Sequence, residues 1–253
     1  MTNSVKDEQN VESASATTLK ELKDTLWKAA DKLRGSMDAS QYKDIVLGLV
    51  FLKYVTDAFD ARRAGLRAEG EERGDSEEYI QEDLEDIDAY REKNVFWVDP
   101  IARWTFLRDN SKGKSADAGQ EYQSIGKLID NAMKQLMQDN ESLLGTLPTN
   151  FASDSVDQRR LGELIDLFST TRFTAEGPER ARDLLGEVYE YFLEKFARAE
   201  GKRGGEFYTP RPVVRTLVEI LEPTQGRVYD PCCGSGGMFV QAEKFLETTE
   251  KDR

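Results

Sequence analysis

The residues with most chemical potential in this chain form one short stretch, Val228–Val240, reading VYDPCCGSGGMFV. Two apolar residues, Val228 and Tyr229, run into Asp230 and Pro231, then small residues, then Gly237 and an apolar run. That order predicts a buried strand, Arg227–Asp230, ending in a glycine-rich turn that opens a helix from about Gly237 to Glu250. Glycine in such a turn lets a ligand approach the backbone, and the helix N-terminus offers N–H groups to an anion. Spacing then separates the ligand classes. A phosphate-binding loop closes on Gly-Lys-Ser/Thr, and no lysine stands between Tyr229 and Lys244. A dinucleotide fingerprint needs Gly-x-Gly-x-x-Gly or Ala. Gly234 and Gly236 supply its first pair, but Phe239 fills the last position with bulk where close helix–strand contact is required.

An acid at the strand end points to a third class. Asp230 repels a pyrophosphate, yet it suits a ligand with a cationic amine. S-adenosyl-L-methionine carries both an ammonium and a sulfonium centre. In this reading Asp230 attracts the positive end or organises the turn. Gly234, Ser235 and Gly236 let the methionine portion lie against the backbone, whose N–H groups hold its carboxylate. Upstream, GGEFYTPRP sets an aromatic pair and Thr-Pro behind a Gly-Gly hinge. Those residues make a poor helix or strand, but they suit a loop that closes an aromatic wall over a purine. Histidine is absent, which excludes His-based triads and His metal sites within this chain. The only cysteines are the adjacent Cys232 and Cys233. With no second pair they are expected to be small, buried loop residues rather than metal ligands.

The string from Asp230 to Gly237, with GGEFYTPRPVV upstream, resembles the modification (methyltransferase) subunit of type I restriction–modification systems. The segments LGEVYEYFLEKFARAEGKRGG and FWVDPIARW, and the helical N-terminal region, are similar to that family's N-terminal half. The resemblance implies an N6-adenine DNA methyltransferase domain in which both motifs flank one S-adenosyl-L-methionine. Carried over, Glu206, Phe207, Tyr208, Thr209, Pro210 and Arg211 would line the cofactor, as would Asp230, Gly234, Ser235, Gly236 and Gly237. It further implies as partners a DNA-specificity subunit, a restriction subunit, a second methyltransferase subunit and double-stranded DNA. The family has alanine and another small residue where Cys232 and Cys233 stand. Its catalytic Asn-Pro-Pro-Phe/Tyr motif, which holds a flipped adenine, has no counterpart, because no Asn-Pro pair occurs. No catalytic residue is therefore assigned, and this chain alone is expected to be inactive. The expectation is an N-terminal portion of such a subunit, or a protein whose remaining strands come from another chain. A non-catalytic helical assembly module and a stand-alone adenine-N6 or cytosine-N4 DNA methyltransferase are the rival readings.

The elements that must position these motifs follow from the rest of the 253 residues. Residues 1–17 are polar and lack periodicity, so they are expected to be a disordered tail. Residues 18–170 read as a helical domain. Thr18-Leu-Lys-Glu21 forms a capping box, Ser40 can cap a second helix, and Ile45, Val46, Leu49, Leu52 and Phe59 make its wide apolar stripe. Gly65–Ser76 reads as a loop, and Ile80, Leu84, Ile87 and Arg91 as one narrow amphipathic helix. The aromatic run Phe96–Leu107, interleaved with Arg103, could stack bases but reads better as core filler between helices. Further helices are expected around Ile125–Met137 and Leu161–Phe168.

Residues 171–253 are read as the start of an α/β, Rossmann-like class I S-adenosyl-L-methionine-dependent methyltransferase domain with only its first strand. Its helices resume near Gly177-Pro178. The net charge of −13 comes mostly from Glu69–Glu92, where twelve acids meet two bases, Arg73 and Arg91. That region is expected to pack on protein. Arg198–Arg215, with five bases and two acids, suits a polyanion. No apolar run reaches the roughly 18–20 residues of a membrane span. With no signal sequence and one vicinal cysteine pair, a reducing cytoplasm is the expected compartment.

Overall fold

The computed structural model describes residues 23–24, 27–28, 30–31, 39–114, 122–170, 178–199, 209, 211–233 and 236–251. Among these the regular structure is helical, with no strand and one isolated antiparallel bridge between Lys114 and Gln123. Backbone contacts divide the chain into two units, Met1–Phe192 and Leu193–Arg253.

The first unit is built on α1 (Ala39–Arg73), whose Ile45, Val46, Leu49, Leu52 and Phe59 are all buried. The expected loop at Gly65–Ser76 does not form until the helix has run through Gly65 and Gly70 to Arg73. Gly70 is a packing glycine there. A Cβ on it would lie 2.7 Å from Cγ1 of Ile80, so the helix that follows can close down on α1. That helix is α2 (Glu77–Glu85), with Ser76 Oγ accepting the Tyr79 N–H and with Ile80 and Leu84 buried. The single amphipathic helix expected here is instead broken at Asp86. Its extended backbone and its side chain, which accepts the Asp88 N–H at 3.0 Å, start α3 (Ile87–Arg91). Arginines of α1 grip the acidic helix: Arg67 holds Glu77 through two 3.0 Å bonds, and Arg73 reaches both Asp75 and Asp83.

The aromatic run is core filler. Asp99 caps a short 3-10 turn, Pro100–Ala102, and α4 follows (Trp104–Asp109). Phe59 stacks on Tyr90 with centroids 4.7 Å apart, and Trp97 meets both rings edge-on. The Arg103 guanidinium lies over the Phe59 face at 5.0 Å, so it is spent on a protein ring rather than a base. Trp104 donates its indole N–H to Ser169 Oγ at 2.8 Å, and Trp27 tilts against Phe192 at 5.8 Å.

Helix α5 (Ile125–Asp139) buries Leu128, Ile129, Ala132, Met133 and Leu136, and α6 (Gln158–Phe168) buries Leu161, Leu164, Ile165 and Phe168. Their junction is a backbone-recognition knot. A Cβ at Gly126 would sit 2.2 Å from the Phe151 carbonyl oxygen, while Gln158 Oε1 accepts the Gly126 N–H and Gln158 Nε2 donates to that same carbonyl. Asp130, buried, accepts the Phe151 and Ala152 N–H groups at 2.8 and 3.1 Å. Asn140, only 6% exposed, accepts from the Trp97 N–H and donates to the Trp97 and Leu136 carbonyls. Asp130 and Asn140 are thus buried with their partners in place.

Helix α7 (Pro178–Ala199) buries Val188, Phe192 and Phe196. Near its middle Glu187 pairs with Lys23 at 2.9 Å, and Tyr191 donates to Asp24 at 2.6 Å. Helices α8 (Arg211–Leu221) and α9 (Gly237–Lys251) belong to the second unit and pack on each other through buried Val214, Val218 and Ala242. The strand expected at Arg227–Asp230 is absent, and those residues are irregular. A strand exists only by pairing, and no extended partner occurs among the described residues. Val228 and Tyr229, expected to be buried in a sheet, are 50% and 86% exposed.

Candidate functional site

The glycine turn forms without the strand. Asp230 Oδ1 accepts the Cys232 N–H at 2.9 Å, so its carboxylate organises the turn, one of its two expected roles. The chain turns through Pro231 and Cys232, and the Gly236 N–H donates to the Cys233 carbonyl at 2.8 Å. Gly236 then adopts φ +79°, the left-handed region in which an L side chain is strained. Its carbonyl accepts the Phe239 and Val240 N–H groups at 3.0 and 3.2 Å, starting α9. A Cβ on Gly236 would meet nothing closer than Phe239 Cδ2 at 4.0 Å. The glycine is therefore required by its backbone angle, and among the described residues no atom comes closer than 4.0 Å to where its Cβ would stand.

Gly237 has a different task. As the first residue of α9 it faces α8, where a Cβ would lie 3.9 Å from Cγ2 of Val214. Val214 lies in the first turn of α8, directly after the Phe-Tyr-Thr-Pro motif. The start of α8 and the start of α9 are thus adjacent. Helix packing brings the ends of two motifs together although some 20 residues separate them in sequence. Val214 is the positioning residue that motif reading missed, and its signal was the Val214–Val218 helical spacing.

Of the expected cofactor-lining residues, Asp230 is half-buried, Gly236 and Gly237 stand as above, Thr209 is exposed, and Arg211 opens α8. Glu206, Phe207, Tyr208, Pro210, Gly234 and Ser235 lie outside the described residues. Cys232 and Cys233, expected to be buried, are both exposed. Among the described residues no group of three or more His, Cys, Asp or Glu could hold a metal ion. Nor is any described helix long and apolar enough to cross a membrane. A bare glycine backbone, an acid at the turn and the N-termini of two adjacent helices fit a ligand with a carboxylate and a cationic amine.

Comparison with known proteins finds two families along the chain. The HsdM N-terminal domain family matches residues 22–168, and the N-6 DNA Methylase family matches residues 180–253. The first match spans more than half of the chain, and the chain belongs to the HsdM N-terminal domain family. The type I restriction enzyme MjaIX methylase subunit of Methanocaldococcus jannaschii is 37% identical over 234 residues, 90% of this chain and 40% of that protein. The HindI methylase subunit of Haemophilus influenzae is 45% identical over 154 residues, 57% of this chain and 34% of that protein. The crystal structure of a type I restriction-modification system methyltransferase subunit from Streptococcus thermophilus has the same fold. It aligns with a TM-score of 0.56 at 22% identity, over 90% of this chain and 50% of that one. The chain thus spans about two fifths of the first relative and half of the solved chain.

Proposed function

We propose that this chain is the N-terminal part of a type I restriction–modification methyltransferase subunit. The parent subunit transfers a methyl group from S-adenosyl-L-methionine to adenine N6 within a specific DNA sequence. One observation carries the reading. A HsdM N-terminal domain match is followed in the same chain by an N-6 DNA Methylase match, and the latter contains the Asp230–Gly237 turn.

When bound, S-adenosyl-L-methionine supplies an electrophilic methyl group. This chain's residues would bind and orient it. Asp230 would attract the ammonium while holding the turn, and Gly234, Ser235, Gly236 and Gly237 would offer backbone to the methionine carboxylate. Glu206, Phe207, Tyr208, Thr209, Pro210 and Arg211 would line the purine. The helical unit serves assembly with a DNA-specificity subunit, a restriction subunit, a second methyltransferase subunit and double-stranded DNA in the cytoplasm.

The test is methyl incorporation. The full-length subunit, with its specificity subunit, should label DNA from radiolabelled S-adenosyl-L-methionine. The 253-residue chain alone should not. Label on DNA from the chain alone would refute the division of labour, and no label from the full assembly would refute the enzyme reading.

A further inference from the structure

We infer that a surface groove of the helical unit, where the C-terminus of α5 meets residues 94–96, is a docking site for an extended polypeptide carrying a lysine or arginine. The groove holds about 700 Å³, within the roughly 300–1,000 Å³ of ordinary binding sites. Its polar lining is uncommitted. Asn94, Gln138, Glu141 and Ser142 are all exposed. Among the described residues none of their side chains has a hydrogen-bond or ion-pair partner. Backbone is available as well. The Trp97 N–H donates to Asn140 Oδ1 at 3.1 Å, and the Trp97 carbonyl accepts from Asn140 Nδ2 at 3.0 Å. One carboxamide thus takes the place that a neighbouring strand takes in an antiparallel ladder. Phe96, one residue earlier, lines the groove, and among the described residues nothing hydrogen-bonds its N–H or its carbonyl. That free pair suits an incoming chain held by strand addition.

Chemistry selects the occupant. Two carboxamides and a hydroxyl offer donors and acceptors together, which matches peptide groups rather than an anion. Asp139 and Glu141 line the groove at the C-terminus of α5, the end of a helix that favours cations. Arg91, the lining cation, is already engaged. Its Nη2 donates to the Asp139 carbonyl at 3.2 Å, and its Nη1 lies 3.6 Å from the Asp88 carboxylate. A phosphate backbone is therefore repelled, whereas a lysine or arginine head is drawn to the two carboxylates. Its aliphatic stem fits against Val95 and Phe96, which line the groove half-buried.

The probe is a set of fluorescein-labelled nonapeptide pools, each with one fixed central residue, titrated against the 253-residue chain and read by fluorescence polarisation. Pools fixed at lysine or arginine should bind about fivefold or more tightly than pools fixed at aspartate or glutamate. Asn94→Gly removes the side chain and keeps the backbone, because φ is +54° there and glycine adopts that angle freely. Asn94→Gly and Gln138→Ala should each weaken binding about 2- to 10-fold, the worth of one hydrogen bond. Glu141→Lys should erase the preference for a cationic centre. Unchanged circular dichroism melting shows that each variant is folded. Failure of every pool to bind at up to about 1 mM overturns the site, as does binding that all three folded variants leave unaltered. A DNA oligonucleotide that binds more tightly than any pool, and is weakened by the same variants, overturns the peptide assignment. The groove lies wholly within the helical unit, so the outcome is independent of the methyl-donor reading above.

Discussion

Replacing Gly236 by alanine separates backbone strain from steric clash, because the structure supplies one without the other. The residue sits at φ +79°, while among the described residues nothing lies within 4.0 Å of where a Cβ would stand. An L residue in the left-handed region costs about 1–2 kcal/mol. If the turn can relax to an unstrained form of otherwise equal energy, only the fraction still in the native turn binds ligand. Apparent affinity falls by that fraction, which for about 1–2 kcal/mol means a Kd raised about 5- to 30-fold. Calorimetric titration of S-adenosyl-L-methionine into the full-length subunit reads it directly. Gly236→Asn should recover part of the loss, since asparagine tolerates this region. Gly237→Ala is the internal control, because its new methyl meets Val214 Cγ2 at an ordinary 3.9 Å. Equal damage from Gly236→Ala and Gly237→Ala, or none from Gly236→Ala, would refute the reasoning.

Asn140→Ala strips the Trp97 N–H and two carbonyls of a buried partner, and should cost about 2–4 kcal/mol in urea unfolding followed by circular dichroism. A loss below about 1 kcal/mol would contradict it. Gly126→Ala drives a methyl onto the Phe151 carbonyl, 2.2 Å away, and onto the Gln158 side chain. It should destabilise by about 1–3 kcal/mol, whereas Gly74→Ala tests a glycine needed for its angle alone, with φ +77° and no neighbour within 4 Å. The Arg67 guanidinium, helped by Gln81, holds the Glu77 carboxyl down at about 2 from an ordinary 4.5. A depressed carboxylate stabilises the fold above its unfolded pKa and loses that contribution as the pH falls toward its folded one. The stability gap between wild type and Glu77→Gln should therefore be full above pH 4.5, close between there and about pH 2, and shrink with salt. A gap that stays constant across that window would count against the Arg67 contact.

The helices α5 and α6 were legible because their apolar spacing is clean: Leu161, Leu164, Ile165 and Phe168 are all buried in α6, and α5 departs from its spacing chiefly in burying Met133 rather than Met137. The far half of α1 was not. Gly65 and Gly70 read locally as breakers, whereas the reason for Gly70 is Ile80, ten positions on and packed against it. Asp86 hid its helix break for the opposite reason, since one side chain capping Asp88 interrupts an apolar period that continues across it. The aromatic run around Arg103 left base stacking open beside core filler, and the burial of Trp97, Trp104 and Leu107, with Arg103 over the Phe59 ring, settles it as core. In the candidate site, the need for glycine at position 236 was readable from the motif, and the Asp230–Cys232 bond is one of two roles the acid's position allowed. The contact of Gly237 with Val214 was not, because adjacency of two helix starts is a tertiary fact. Cys232 and Cys233 look like small core residues by type, yet both are exposed.

The placement of the tryptophans has a spectroscopic consequence. All three, Trp27, Trp97 and Trp104, fall within Met1–Phe192, and both cysteines fall within Leu193–Arg253. Indole emission therefore reports on the helical unit alone, and thiol labelling kinetics report on the glycine-turn unit alone. The unmodified chain carries two non-overlapping native reporters, so the melting of each unit can be followed in one sample without an engineered probe.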